Sequence, residues 1–367
     1  MTGQISDINI GETIKEALKK ARREIGQVNV LIAGRTGVGK STLINEIFQG
    51  KMADTGQGRP VTKSTREITK AGIPLAIWDT RGLEMNAFQE TIDELEQLVI
   101  SRAGEPDVEK HIHVAWLCIH EDLRRVEEGE IGLHKTLAKH MPVIGVITKA
   151  RADQGFKAEV QHLLPETKNV VRVRALSETL DEGQVLKPMG LIELVEVTME
   201  VIPDAVLRAF AAAQIASVEK KKSEARKIVI AAAAAAGAIG AAPIPFADAA
   251  CLIPIQATML ARISSAFGLE LSTAFLTTLV ATMAGTTGAA LAGRAIVAGL
   301  LKLIPAAGAV VGGAIAATTA ATITTTLGEL YIATLAALFI DSDGEIPSSE
   351  DVMSEFKKRL RIASDDN

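Results

Sequence analysis

Through its first half the chain alternates short apolar runs with longer amphipathic stretches. Residues 28–33 form a β-branched apolar run that reads as a buried strand. Residues 42–48 follow with helical spacing, and Leu43, Ile47 and Phe48 fall on one side. The rhythm then repeats. Strands are predicted at 65–71 and 73–78 around a turn at Gly72-Ile73-Pro74, and a helix over 86–102 with Phe88, Ile92, Leu95 and Val99 inward. A strand at 112–119, a charged helix through Lys139, a strand at 143–147, a short helix over 156–164 and a strand at 170–173 complete it. This alternation predicts an α/β domain with a mostly parallel sheet, helices on both faces and ligands at the carboxyl ends of the strands. Ahead of it, residues 11–25 read as an amphipathic helix with Ile14, Leu18, Ala21 and Ile25 on one face and Lys19, Lys20, Arg22 and Arg23 on others. Such a helix either packs on the α/β domain, the preferred reading, or lies on an anionic membrane surface.

The loop after the first strand carries the chemistry. Gly34-Arg35-Thr36-Gly37-Val38-Gly39-Lys40-Ser41 fits the phosphate-binding pattern G-x-x-x-x-G-K-S/T at every fixed position, in the strand–loop–helix setting it requires. Glycines let the backbone wrap an anion, and the amides of the loop and of the helix start, through Thr42, favour negative charge. Lys40 is placed to reach the β- and γ-phosphates and Ser41 to bind Mg²⁺. A later strand ends in Asp79-Thr80-Arg81-Gly82, which fits a second metal and γ-phosphate site: Asp79 for Mg²⁺ and the Gly82 amide for the phosphate. Lys149 and Ala175 also fall just past strand ends, so all these positions converge on one ligand.

These motifs resemble the GTP-binding domain of the translation-factor-related GTPases, the class that includes Era, the septins and the dynamins, over about residues 28–176. The resemblance implies GTP/GDP and Mg²⁺ as ligands and hydrolysis of GTP to GDP and phosphate. It implies a switch threonine that holds Mg²⁺, with Thr62 favoured and Thr65 the alternative, and catalytic roles for Lys40, Thr62 and Gly82. The family's fourth motif, N/T-K-x-D, is present as Thr148-Lys149-Ala150-Arg151, with Asp153 two places late. Its aspartate accepts hydrogen bonds from guanine, and an arginine has no acceptor. Either Asp153 reaches back or base selection is weak. Arg174-Ala175-Leu176 matches the fifth motif, with the Ala175 amide meeting the guanine oxygen. Leu83 stands where many small GTPases place the glutamine that orients water, so hydrolysis needs a dimer, an activating partner or another residue. Arg35, Arg66 and Arg81 are candidates. Gly37 stands where potassium-activated relatives carry asparagine, which implies no K⁺ dependence.

The second half changes character. Residues 228–340 hold only six charged residues, Asp248, Arg262, Glu270, Arg294, Lys302 and Glu329, amid alanine, glycine and threonine. Residues 203–227 read as one long helix with a basic end, Lys220, Lys221, Lys222, Arg226 and Lys227, the kind of cluster that meets anionic lipid. Residues 271–293 and 306–328 are free of charge for 23 residues each, beyond the ~20 a spanning helix needs. Gly308 and Gly312 suit close helix approach. Against spanning, Leu, Ile, Phe and Val are thin in both runs, and Pro243 and Pro245 interrupt the first apolar run. A hairpin in the inner membrane, a soluble bundle, and a bundle opening onto lipid remain open, with membrane association favoured. Residues around Ala242 to Met259 resemble the YcjF-like domain of unknown function, a resemblance covering roughly 205–335.

The expected organisation is an N-terminal helix (1–27), a P-loop GTPase domain (28–202), an apolar all-α domain (203–340) and a charged tail (341–367) with a helix over 349–362. The net charge of −5 on 367 residues offers no basic field for nucleic acid, and none is expected as a partner. Cys118 and Cys251 allow no disulfide framework or metal spacing, which suits a reducing compartment. No signal peptide is visible at the start. The expected place is the cytoplasmic face of the inner membrane, with a lipid or membrane-protein partner engaged through 220–340. The rival readings are a very slow regulatory GTP-binding module and a dynamin-like remodelling GTPase.

Overall fold

The computed structural model describes residues 10–49, 52, 59–60, 62, 65–80, 88–181, 183–240, 248–269, 272–284, 313–342 and 346–365. The chain divides into two compact units, Gly26–Ser217 and a helical unit joining Met1–Ile25 to Val218–Asn367. Helix α1 (Ile10–Ile25) belongs to the helical unit. The other unit then runs β1 (Val28–Gly34), α2 (Lys40–Ile47), β2 (Arg59–Pro60), β3 (Thr65–Thr69), β4 (Leu75–Thr80), α3 (Phe88–Ala103), β5 (Val114–His120) and α4 (Glu128–Ala138). It continues with β6 (Val143–Thr148), α5 (Phe156–Leu163), β7 (Asn169–Arg172), β8 (Glu178–Thr179), β9 (Val185–Leu186), α6 (Leu191–Val201) and α7 (Asp204–Ala213).

Seven strands form one sheet in the order β2-β3-β4-β1-β5-β6-β7. β1 pairs in parallel with β4 on one side and β5 on the other, and β5-β6-β7 continue in parallel. β3 runs antiparallel to β4, with Arg66 opposite Asp79. Strand side chains alternate between faces. Val28, Val30 and Ile32 of β1 therefore join one core, with Leu43 and Ile47 of α2, Leu194 of α6 and Phe210 of α7. Leu31 and Ala33 join the other, with Leu95 of α3, Leu133 of α4 and Val160 of α5. The expected α/β architecture is present, and the carboxyl ends of β1, β4, β6 and β7 share one edge.

Three elements differ from the sequence reading. The single helix expected over 203–227 is broken. α7 ends where Gln214 turns extended (φ −79, ψ 150), and the Gln214 side chain donates to Ser217 O and accepts from Ser217 N, both at 2.8 Å. The buried amide thus replaces the helical hydrogen bonds the turn gives up. Ile215 N also donates to Ile47 O at 2.7 Å. Phe210 meets Phe48 edge-on, and Phe48 stacks on Trp116, so α7 is part of the sheet's core rather than of a connector. The compact boundary is at Ser217, past the expected residue 202. Second, the β8–β9 hairpin and α6 were not anticipated.

Third, α1, read as packing on the α/β domain, joins the core of the helical unit. That unit contains α1, α8 (Val218–Gly240), α9 (Asp248–Ala266), α10 (Thr273–Ala284), α11 (Gly313–Asp341) and α12 (Ser349–Asp365). Ile14, Ala17 and Ala21 join a core with Leu260 and Phe267 of α9, Tyr331 and Phe339 of α11, and Phe356 of α12. Glu24 accepts from Arg262 at 2.6 Å. α8 and α11 approach closely, since a Cβ at Gly328 would stand 2.5 Å from Val229. Among the described residues one helix, Ala320–Asp341, is long and apolar enough to cross a membrane, and half of it is buried inside the unit. Gly308, Gly312, Arg294 and Lys302 lie outside the described residues.

The basic cluster is not a free positive face. Lys222 pairs with Glu219 at 2.7 Å, Lys227 with Glu224 at 2.6 Å and Arg226 with Glu329 at 3.3 Å. Lys221 is buried, donates to Phe267 O at 3.2 Å and lies 5.1 Å from the Phe339 ring. Burial pulls its pKa down to about 7. Between that value and the ordinary lysine value the unfolded chain binds more protons, so stability rises with pH through this window and levels off above it. Lys221→Met is expected to flatten that rise in urea unfolding followed from neutral to alkaline pH. An unchanged slope would count against the buried amine as its source.

Candidate nucleotide site

The loop from Gly34 to Gly39 joins the central strand to α2. Gly34 takes φ +144, and a Cβ there would stand 2.5 Å from Cys118 O, so only glycine lets β1 leave the sheet this close to β5. Gly37 and Gly39 are also left-handed, at φ +78 and +102. Gly39 caps α2 with no side-chain hydrogen bond, and the first turn of α2 has no acidic residue. The amides at this helix start therefore meet no competing carboxylate, the condition an anion needs. Thr36 and Gly37 are exposed at the tip, Val38 is buried and Ser41 is exposed at the start of α2.

Lys40 folds over the loop and donates to Gly34 O at 2.7 Å and Arg35 O at 3.1 Å. Burial lowers its pKa, and the nearby Asp79 carboxylate opposes that shift. Cys118 beneath is buried, its thiol pushed up to about 12 by desolvation, so it stays a neutral packing group. Arg35 is bound to Glu127 at 2.6 Å, at the start of α4. That ion pair ties the flank of the loop to the neighbouring helix.

Asp79 sits at the end of β4 and is buried. One oxygen, Oδ2, accepts from Arg66 Nε at 3.1 Å and pairs with Arg66 Nη2 at 3.0 Å. The other, Oδ1, is buried with no hydrogen-bond partner among the described residues. An unsatisfied buried carboxylate oxygen is costly, and it suits a divalent cation shared with Ser41. Thr65 is buried inside β3, opposite Thr80. Thr62 stands in the turn before it, its hydroxyl accepting from Thr65 N at 3.0 Å. Of the two candidate switch threonines, Thr62 is therefore the one outside the sheet. Gly82, Arg81 and Leu83 lie outside the described residues.

A cavity of about 230 Å³ opens beside the loop, lined by Gly39, Thr42, Thr148, Lys149, Arg151 and the segment from Val173 through Ala175 and Leu176 to Glu178. Thr148 anchors it: one hydroxyl bonds Val38 O at 2.7 Å and Ile119 O at 3.1 Å. Lys149 adopts φ +53, strained for a residue with a Cβ, and its Cε lies 3.9 Å from the Cβ position of Gly39. The lysine stem thus covers the loop. Buried Glu121 fixes the next turn, accepting from Ala152 N at 3.0 Å and from Arg172 Nε at 2.7 Å.

Asp153 does not reach back into this cavity. Its carboxylate accepts from Lys157 N at 2.8 Å, capping α5, and lies 3.5 Å from Arg172 Nε. Arg151 does line the cavity and is bound to Glu178 by two hydrogen bonds, one of them 2.9 Å. That hydrogen bond raises the Arg151 pKa and lowers that of Glu178, so both stay charged. Glu178 and Glu121 were missed from sequence because no motif marks them, and Arg174 was read there only as the first residue of the fifth motif. Arg174 is buried, donates to Ala150 O at 2.9 Å and braces the loop beneath Lys149. Thr148→Val is expected to weaken binding of a labelled guanosine triphosphate by on the order of tenfold, through loss of the buried hydroxyl whose one proton Val38 O and Ile119 O share. Fluorescence titration with circular dichroism as a folding control checks it, and unchanged affinity would contradict the anchoring role.

Two family models match the chain. Residues 29–149 match the family model described as 50S ribosome-binding GTPase. Residues 185–361 match a domain of unknown function, DUF697. The tRNA modification GTPase MnmE of Desulfotalea psychrophila is 30% identical over 124 residues, 33% of this chain and 25% of that protein. GTPase Era of Neisseria meningitidis serogroup A is 29% identical over 172 residues, 46% of this chain and 52% of that protein. The chain thus spans about half or less of the curated relatives it matches. The structure of Toc33 from Arabidopsis thaliana with Mg²⁺ and GMPPNP aligns at a TM-score of 0.33 and 17% identity, covering 54% of this chain and 95% of that one. The DUF697 match begins at residue 185 and so includes α6 and α7, which fold with the sheet. The chain carries a GTPase domain of the ribosome-binding GTPase family, followed by a DUF697 domain.

Proposed function

We propose that this protein binds GTP with Mg²⁺, hydrolyses it to GDP and phosphate, and uses the change as a switch read by the helical unit. One observation carries the reading. The phosphate loop after β1, the Asp79 Oδ1 at the end of β4 that has no partner among the described residues, and the cavity after β6 and β7 meet at one edge of a single sheet. In this reading the loop amides and Lys40 hold the phosphates, Ser41, Thr62 and Asp79 hold the metal, and Ala175 meets the base. Mg²⁺ would offset charge building on the phosphate oxygens. Lys40 would do the same from the other side, leaving the Gly34 and Arg35 carbonyls it now bonds. Arg66 is close enough to Asp79 to adjust when the metal binds.

Leu83 offers no group to orient water, so the proposal includes a second copy or an activating partner as its source. Lys40→Ala is expected to lower GTP affinity at least ~100-fold, by removing charge-assisted hydrogen bonds to phosphate. Labelled-nucleotide binding and phosphate release, run over a range of chain concentrations, check this. Full activity in the variant would remove the site. Turnover per chain that does not rise with concentration would remove the second copy as the source.

We further propose that the helical unit associates with the cytoplasmic face of a membrane, supported by the apolar Ala320–Asp341 helix and by the charge-poor sequence of 228–340. The ion pairs within the basic cluster place the burden on apolar contact rather than on attraction to anionic lipid. Carbonate washing of membranes from cells making the full chain is expected to leave the protein in the pellet. Recovery in the soluble fraction from unwashed cells would overturn the association.

A further inference from the structure

The cavity beside the phosphate loop poses a specific chemical problem. Guanine presents N1–H and the 2-amino group as donors, so a pocket that selects it needs an acceptor on that edge. Arg151 occupies the place where the resemblance calls for an aspartate, and a guanidinium only donates. Asp153, the nearest carboxylate in sequence, is committed to capping α5 and to Arg172. Among the residues lining the cavity one is acidic, and it is Glu178.

Glu178 is well held for a residue at the surface. It begins the β8–β9 hairpin, where it pairs with Leu186. Both carboxylate oxygens accept from Arg151, through Nε and Nη2. Arg151 is itself steadied from two sides: Asp122 lies 3.7 Å from its Nη1, and buried Glu121 accepts from its backbone amide and from that of Ala152. Two oxygens offer about four acceptor positions, and Arg151 takes one on each. The fork uses the two parallel lone pairs, and the one left on each oxygen points outward to its own side, where it can accept a single donor of the guanine edge, the amino group or N1–H.

Resting on the GTP-binding reading above, we propose that Glu178 is the guanine-selecting carboxylate of this protein and that Arg151 is its positioning residue. The arginine at the motif position thus carries a carboxylate in from another element. Selection of guanine is moved from the loop after β6 to the hairpin after β7. The pocket then discriminates between bases by whether they present a donor to this carboxylate.

The test compares GTP, inosine triphosphate (which lacks the 2-amino group) and xanthosine triphosphate (which carries an oxygen there) in competition against labelled GTP with Mg²⁺. The full-length protein is expected to bind GTP roughly tenfold or more tightly than either analogue, the cost of an unmatched charged acceptor. Glu178→Ala is expected to bring GTP and inosine triphosphate to within about twofold of each other. Glu178→Gln is expected to shift preference towards the xanthine nucleotide. Arg151→Ala should lower the discrimination in part, and Glu178→Ala combined with Arg151→Asp should restore it, by returning a carboxylate to the loop after β6. Unchanged ratios in Glu178→Ala, with GTP still bound, would overturn the assignment and leave the GTP-binding reading intact. Failure of the unsubstituted protein to bind any of the three would overturn that reading itself.

Discussion

The site depends on one side chain that reaches the phosphate loop and a strand end at once. The Thr148 hydroxyl bonds Val38 O in the phosphate loop and Ile119 O at the end of β5. Because β5 lies between β1 and β6 and runs parallel to both, the three strands end along one side of the sheet. The hydroxyl fixes the loop against that side. Gly34 makes the approach possible, since any Cβ there would collide with Cys118 O. With the loop fixed, Lys40, Ser41 and the amides of α2 are placed without further help. The position of the cavity follows as well, because Lys149 lies over Gly39 from the residue after Thr148.

A second layer of the site is ionic, and beside the cavity it centres on Glu121 and Arg151. Buried Glu121 gathers Arg172 and the backbone after Lys149, with the Arg172 pair at 2.6 Å. That is an expensive arrangement unless every oxygen is used, and both Glu121 oxygens have partners. The same network draws Asp153 towards Arg172, away from the cavity, and leaves Arg151 free to engage Glu178. The departure from the common fourth motif is therefore a rearrangement of charge with its own bracing, rather than a simple loss.

Much of the α/β unit was legible in sequence because its strands are buried on both faces and read as unbroken apolar runs. The parallel order and the convergence at strand ends followed from that pattern and from the phosphate-loop motif. What was not legible has physical reasons. Gln214 ends α7 through its own side chain, and a glutamine in an alanine-rich stretch gives no breaker signal. Gly190 before Leu191, Leu194 and Val195 was a readable start for α6. Strands β8 and β9 are two residues each, too short to show alternation. Glu178 belongs to no motif, and only the folded chain brings it onto Arg151. In the helical unit, alanine, glycine and threonine pack closely without a strong amphipathic stripe, so the sequence could not say that α1 joins α9 or that Lys221 is buried beside Phe339.

The central claim is that a loop, a carboxylate and a cavity at one sheet edge form a single guanine-nucleotide site. Calorimetric titration of the full chain with GTP and Mg²⁺ tests it most directly. One site per chain, loss of affinity when the metal is chelated, and displacement by GDP but not by ATP are expected. Binding insensitive to chelation, or equal displacement by ATP, would contradict that claim.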